Sequence, residues 1–238
     1  MAALDAYLNP KCRPSTLDSF VNRRLILAAL KNALPSFRGT LVDLGCGEMP
    51  YKTLVLSAPS RATQYIGVDL PGSPYDPPDM IWDGRRLDRE GDSVDTVLLT
   101  EVLEHCPMPQ EVLAETYRLL RPGGLVFFTV PFVWPIHCIP YDEYRYTPFA
   151  LQRILSDCGF KEIQLKATGG RNSVLAVMLG LWIRRKPLTS RVHIVEKWLL
   201  SRLMWPVIYG LYASDVPPDD FYESALIVGI SGFARKPV

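Results

Sequence analysis

The chain has 238 residues, 48% of them hydrophobic, enough to bury the core of one elaborated α/β domain or at most two small domains. A formal net charge of +1 with no long basic run excludes the electrostatic footprint of a nucleic-acid binder. The five cysteines Cys12, Cys46, Cys106, Cys138 and Cys158 form no C-x-x-C pair, and the N-terminus lacks a basic start followed by an apolar stretch. Both features predict a cytoplasmic protein without a disulfide framework, and no metal-ligand set is expected.

Residues 15–18 read STLD, a capping-box pattern that opens an apolar helical run through Leu34, closed by Pro35. The first strand then runs into LVDLGCGEMPY, residues 41–51, where Asp43 precedes Gly45 and Gly47. Two residues without side chains let the backbone turn tightly and present N–H groups to a polar or anionic ligand. A turn of this kind opens dinucleotide sites as well as S-adenosylmethionine sites. Pro50 stands where a dinucleotide fingerprint has its third glycine, which disfavours that alternative.

A second strand is predicted at 65–70, a third at 79–83 and a fourth at 94–99, followed by TEVLEHC. Pro109 starts a helix whose inner face carries Leu113, Tyr117 and Leu120, and Pro122, Gly123 and Gly124 stop it before a fifth strand at 125–130. After the loop PFVWPIHCIPYDEYRY, Thr147 is a predicted N-cap and Pro148 a first-turn residue. Leu151, Ile154, Leu155 and Cys158 keep helical spacing up to Gly159. Strand six is expected at 162–168 and the last strand at roughly 224–234.

Between them lie two apolar stretches, VLAVMLGLWI and WLLSRLMWPVIYGLY. The first would span only about 15 Å as a helix, half of a membrane core, and is followed by Arg184, Arg185 and Lys186. Aromatic and basic residues beside an apolar face fit a peripheral contact with the inner membrane, whereas a cap over the active site or a homodimer surface within 174–212 is the preferred expectation.

Gly45, Asp69, Asp83, Glu101 and Pro131 all fall at predicted carboxyl ends of strands, where open α/β sheets bind ligands. Each has a plain structural alternative: Asp69 as a helix cap, Asp83 as a turn residue before Gly84, Glu101 as a solvated acid. Together they mark a pocket.

The D-x-G-x-G run resembles motif I of the class I S-adenosylmethionine-dependent methyltransferases. SVDTVLLTEVLEHCPMP and RPGGLVFFTVPF are similar to the small-molecule methyltransferase family that includes the ubiquinone-pathway enzymes. The segment with Pro135, His137, Pro140, Asp142, Arg145, Tyr146, Thr147 and Pro148 resembles a bacterial subgroup associated with cell-surface glycan biosynthesis. The resemblance implies an α/β, three-layer Rossmann-like methyltransferase fold. Its sheet would be seven-stranded and mostly parallel with an antiparallel last strand, and a helical insertion would precede that strand. The expected organisation is one domain over 1–238, with a leading helix at 15–35, a cofactor-binding core at 40–168, an insertion at 172–222 and the last strand at 224–234.

S-adenosylmethionine is the implied cofactor and S-adenosylhomocysteine its product. Its expected contacts are Asp43, Gly45, Cys46 and Gly47 at the turn, with Tyr51 beside the amino-acid moiety and Asp69 on the ribose hydroxyls. Asp83 and Gly84 would meet the adenine amino group, Leu70 and Trp82 the ring, and Thr100 and Glu101 the methyl end. A small-molecule, glycan or lipid-linked acceptor is implied. His137 is the candidate general base, with Asp142 orienting it and Arg145 pairing with Asp142 or an acidic acceptor. The structural alternative makes His137 a loop anchor and Asp142–Arg145 an ion pair that sets the next helix. Two other functions remain open at this point: a catalytically silent scaffold of the same fold and a nicotinamide-dependent oxidoreductase.

Overall fold

The computed structural model describes residues 2–72, 75, 77–185, 187 and 191–238. Lys186 lies outside them. The chain divides into two units, one holding the residues up to Ala28 with Ala167–Gly229, the other Ala29–Lys166 with Ile230–Val238.

The larger unit is built on β1 (Arg38–Leu44), β2 (Arg61–Asp69), β3 (Met80–Ile81), β4 (Val94–Thr100), β5 (Leu120–Pro131), β6 (Lys161–Thr168) and β7 (Gly229–Arg235). They form one seven-stranded sheet in the order β3-β2-β1-β4-β5-β7-β6. β1 pairs in parallel with β2 and β4, and β5 in parallel with β4, while the last strand is antiparallel. Parallel strands covered on both faces read as continuous apolar runs. Accordingly Leu41, Val42, Leu44, Val97, Leu98, Leu99 and Phe128 are fully buried. Each such side chain contributes roughly 1.5–3 kcal/mol of apolar burial. Phe37 meets Phe127 edge-on at 5.8 Å.

Chain direction explains where a ligand can bind. After β1 the chain moves to one side through β2 and β3, then returns to the other side through β4 and β5. The loops leaving β1 and β4 therefore diverge and open a crevice between two adjacent carboxyl ends.

Several element boundaries differ from the sequence expectation. The STLD run does not open a helix at 15–18, and Thr16 is engaged locally. Its hydroxyl donates to the Lys11 carbonyl and accepts from Arg13 N–H, so α2 begins at Phe20 and ends at Ala33. A short helix, α1 (Ala2–Leu8), precedes it. The third strand shrinks to two residues. Leu120 lies on β5, because Pro122–Gly124 form an irregularity within that strand's register with β4 instead of a separate turn. The last strand starts at Gly229, five residues later than expected from Ser224. α3 (Lys52–Val55) and α4 (Pro109–Leu119) complete the strand connections. α5 (Pro148–Asp157) starts as expected, with Thr147 Oγ1 accepting from Ala150 N–H at 3.3 Å.

The smaller unit contains α6 (Arg171–Arg184) and α7 (Arg191–Ala213), the latter continuous through Pro206. Asp215 closes the start of α6 from a distance, its carboxylate accepting from Gly170 N–H at 2.6 Å and Asn172 N–H at 3.0 Å. Phe20 packs its ring against Tyr212 at 5.2 Å and Tyr209 at 6.3 Å. Met178, Trp182, Val195, Trp198, Leu203 and Trp205 nevertheless stay exposed. Among the described residues no helix is long and apolar enough to cross a membrane.

Candidate active site

The glycine turn is fastened to the end of β2. Gly45 N–H and Cys46 N–H both donate to the Val68 carbonyl, at 2.8 and 3.1 Å. Gly47 N–H donates to Asp69 Oδ2 at 2.9 Å, while Asp69 Oδ1 accepts from Leu70 N–H at 2.7 Å. Gly45 and Gly47 have φ of +75° and +50°, the left-handed region that side chains resist. A Cβ on Gly45 would also stand 2.6 Å from Val102, so this turn lies directly against the loop that leaves β4.

Asp43 sits below the turn, 3% exposed, and accepts a short hydrogen bond from the Tyr65 hydroxyl. Burial pushes its carboxyl up to about 7, against the hydrogen bond from Tyr65, with the charge of Asp69 adding to the rise. Cys46 is buried beside it, and burial raises its thiol to about 12, so it is an inert packing group. Tyr51 is also buried.

The next loops supply polar groups and an apolar wall. Asp83 is exposed and its Oδ1 accepts from Arg85 N–H at 3.0 Å, a turn around Gly84. Leu70 is 56% exposed, whereas Trp82 is buried and its indole N–H has no hydrogen-bond partner among the described residues. Thr100 Oγ1 is likewise buried and unpartnered at the end of β4. Glu101 follows with φ of +55° and its N–H on the Thr129 carbonyl. A strained residue and an orphaned hydroxyl at a strand end are features that ligand sites retain and plain cores remove.

The loop after β5 makes a second cluster. Arg145 grips Asp142 through two hydrogen bonds of 2.7 and 2.9 Å and donates to the carbonyls of Trp134 and Pro135. This pairing holds the Asp142 carboxyl far below its usual range. Asp142 Oδ2 in turn accepts from His137 N–H at 3.1 Å and lies 3.3 Å from His137 Nδ1, which is off the line of a good hydrogen bond. Burial, and then the neighbouring His105 ring at 4.7 Å, lower the His137 pKa, so its imidazole is neutral at pH 7.

The Glu-His pair of TEVLEHC, Glu104 and His105, belongs to the same cluster. Glu104 is fully buried with both carboxyl oxygens unpartnered among the described residues, and burial, followed by the charge of Glu101, drives its pKa well up. Its carbonyl accepts from Glu143 N–H and Tyr144 N–H, and Leu103 O accepts from the Tyr146 hydroxyl at 2.8 Å. His105 Nδ1 bonds the Tyr141 carbonyl at 2.9 Å. These bonds tie the 137–146 loop to the segment after β4, so the sequence-expected trio of His137, Asp142 and Arg145 is brought together by residues outside the trio.

Residues 16–165 match the family model described as a methyltransferase domain, which is more than half of the chain. The chain belongs to this family. Among curated relatives, ubiquinone biosynthesis O-methyltransferases of Burkholderia thailandensis and Burkholderia pseudomallei are 32% identical over 102 residues, covering 37% of this chain and 43% of theirs. The match thus spans less than half the length of those relatives.

Among solved structures, a methyltransferase of Thermotoga maritima, described as a possible histamine N-methyltransferase, superposes with a TM-score of 0.58 at 16% identity, covering 99% of this chain and 100% of that one. Phosphoethanolamine N-methyltransferase 2 of Haemonchus contortus, in complex with S-adenosyl-L-methionine, gives 0.56 at 16% identity, covering 90% of this chain and 53% of that one. The [4+2]-cyclase SpnF gives 0.58 at 17% identity over 98% of this chain and 87% of that one. These likenesses establish the Rossmann-like methyltransferase fold.

The Asp43 carboxyl carries a direct expectation for stability. Its folded pKa lies above the unfolded value of about 3.9, so the stability it contributes is complete below pH 4 and lost as pH rises through about 7. Urea denaturation of the ligand-free protein should show stability falling across that interval. Asp43→Asn should flatten the fall, leaving the part that Glu104 contributes with the same sign. An unchanged slope in the variant would show that Asp43 ionises normally.

Proposed function

We propose that the protein is an S-adenosylmethionine-dependent methyltransferase that methylates a small-molecule, glycan or lipid-linked acceptor and releases S-adenosylhomocysteine. The observation that carries this reading is the Gly45–Gly47 turn fastened to Asp69 at the reversal point of the sheet, with buried unpartnered polar atoms at Thr100 and Trp82 around it. A dinucleotide site is disfavoured by Pro50 in place of a third glycine.

When bound, the cofactor supplies an already activated sulfonium methyl group for in-line displacement. The residues of the chain do the positioning. Asp69 accepts from the ribose hydroxyls, Asp83 from the adenine amino group, and Leu70 and Trp82 pack on the ring. Gly45, Cys46 and Gly47 offer backbone groups to the methionine part, with Asp43 and Tyr51 behind them, and Gly84 leaves room beside the adenine. Thr100 and Glu101 border the methyl end. Holding reactants in line contributes about 7–11 kcal/mol to such a reaction.

His137 removes the acceptor proton in this reading. Its Nδ1 faces the ionised Asp142, which favours the proton on Nδ1 and leaves Nε2 as the basic atom. Asp142, itself fixed by Arg145, acts as a positioning residue. The exposed apolar side chains of α6 and α7 support a further element of the reading, association of two copies through 174–212. A peripheral membrane contact through the same side chains is the competing outcome.

Calorimetry should show S-adenosylmethionine and S-adenosylhomocysteine binding, with NAD inert, and Asp69→Ala should weaken both at least tenfold, about 1.4 kcal/mol. Failure of both to bind would refute the cofactor assignment. His137→Asn should lower kcat by roughly 10²- to 10⁴-fold with cofactor affinity intact. The wild-type rate should fall on the acidic side only below the ordinary histidine value of about 6.5, because burial lowers the His137 pKa. A near wild-type rate in the variant would make His137 a loop anchor. Sedimentation should give a dimer that Trp182→Asp with Trp198→Asp dissociates, and the protein should not float with anionic vesicles. A monomer that floats with the vesicles would reverse this assignment.

A further inference from the structure

We propose that His105, His137 and Cys138 form a binding site for a divalent cation of the zinc class. One ring nitrogen from each histidine and the Cys138 sulfur all lie within 4.8 Å of one another. In a tetrahedral site with Zn–N near 2.0–2.1 Å and Zn–S near 2.3 Å, donor atoms stand roughly 3.3–3.8 Å apart. The widest separation in the cluster thus exceeds that range by about one ångström at most, and the Cys138 side chain is exposed and free to adjust. Nitrogen and thiolate donors select zinc, cobalt, nickel or copper over magnesium and calcium, which take oxygen.

The surroundings prepare the two histidines for this role. A carbonyl only accepts, so the 2.9 Å contact from His105 Nδ1 to Tyr141 O places the proton on Nδ1 and leaves Nε2 with its lone pair. Asp142 Oδ2 stands 3.3 Å from His137 Nδ1, outside hydrogen-bond geometry, and its negative charge favours the proton on that nitrogen. A carbonyl behind one imidazole and a carboxylate behind the other is the outer-shell pattern that orients metal-binding histidines. The ligand frame is also built in advance, because Glu143 N–H and Tyr144 N–H fasten the loop to the Glu104 carbonyl.

Glu104 supplies an independent pointer. Its carboxyl is completely buried, neither oxygen has a hydrogen-bond partner among the described residues, and Oε1 stands 3.7 Å from His105 Nε2. A buried carboxyl left without partners is costly. A cation held on His105 gives it an electrostatic partner. With three protein donors, one coordination position stays open to water or to an oxygen of the acceptor.

The site does not depend on the methyl-transfer reading, although it shares His137 with it. One lone pair cannot hold an ion and accept a proton at once, so the metal-loaded and proton-accepting forms of His137 exclude each other.

Binding is therefore tested without cofactor or acceptor, on untagged full-length protein stripped with a chelator. Titration with Zn2+ against a chromophoric chelator should give one ion per chain with Kd on the order of 1 μM or tighter. Co2+ should produce a thiolate-to-cobalt charge-transfer band in the near-ultraviolet. Cys138→Ser should abolish that band and weaken Zn2+ binding at least tenfold, and His105→Gln should weaken it similarly. Cys12→Ser, in the other unit, should leave both unchanged. Because the Cys138 side chain is exposed, its replacement by serine tests the site even where His105→Gln fails to fold. Absence of saturable binding below about 100 μM, or a charge-transfer band that persists in Cys138→Ser, would overturn the proposal.

Discussion

The arrangement of the candidate site depends on one constraint: the chain must reverse direction immediately after β1 while its backbone donors remain satisfied. Two of those donors share the Val68 carbonyl and a third takes the Asp69 carboxylate, so the turn is anchored to the neighbouring strand as well as closed on itself by Met49 N–H on the Cys46 carbonyl. A backbone group left unpaired there would cost about as much as a lost hydrogen bond. The anchoring also positions Asp69, whose two oxygens are oriented by Gly47 and Leu70 before any ligand arrives. Preorganisation of this kind reduces the ordering cost that binding must otherwise meet.

Beneath the turn, Asp43 shows how a buried acid can serve a cavity. Its carboxyl is tied to Tyr65, and burial outweighs that hydrogen bond in setting its pKa. An acid poised in this way responds to a positive charge by losing its proton, whereas a fully solvated one is already ionised. The same logic governs Glu104 at the far side of the crevice, where burial and Glu101 act together and Arg145 opposes them. Two acids are thus held above their ordinary range and one, Asp142, far below it, each by its own environment.

The sequence made the sheet and the turn legible because both rest on local chemistry. Apolar runs mark buried parallel strands, and Gly45 with Gly47 marks a backbone that needs positive φ. Thr147 with Pro148 reads directly as a helix start, and it is one. Elsewhere a competing bond or pairing overrode the expected signal: the Thr16 hydroxyl is taken by the nearby Lys11 and Arg13 backbone, and pairing with β4 absorbs the Pro122–Gly124 run as an irregularity within β5. The roles of Glu104, His105 and Tyr65 are not legible in the sequence for a related reason. Tyr65 and His105 act through partners 22 and 36 residues away in sequence and Glu104 through burial, and none of these leaves a spacing to read: Tyr65 meets Asp43, and His105 meets Tyr141.

The loop from Trp134 to Tyr146 shows most clearly why the trio of His137, Asp142 and Arg145 cannot be understood alone. Arg145 bonds two loop carbonyls as well as Asp142, so removing it frees the loop backbone and the carboxylate together. Asp142 bonds the His137 backbone and faces its ring, so one side chain anchors the loop at His137 and sets the charge beside its Nδ1. The Tyr146 hydroxyl and the Glu104 carbonyl then pin this assembly to the residues following β4, the strand whose loop also touches Gly45. The Trp134–Tyr146 loop and the glycine turn thus meet the same short stretch of chain after β4, the loop through Leu103 and Glu104 and the turn through Val102.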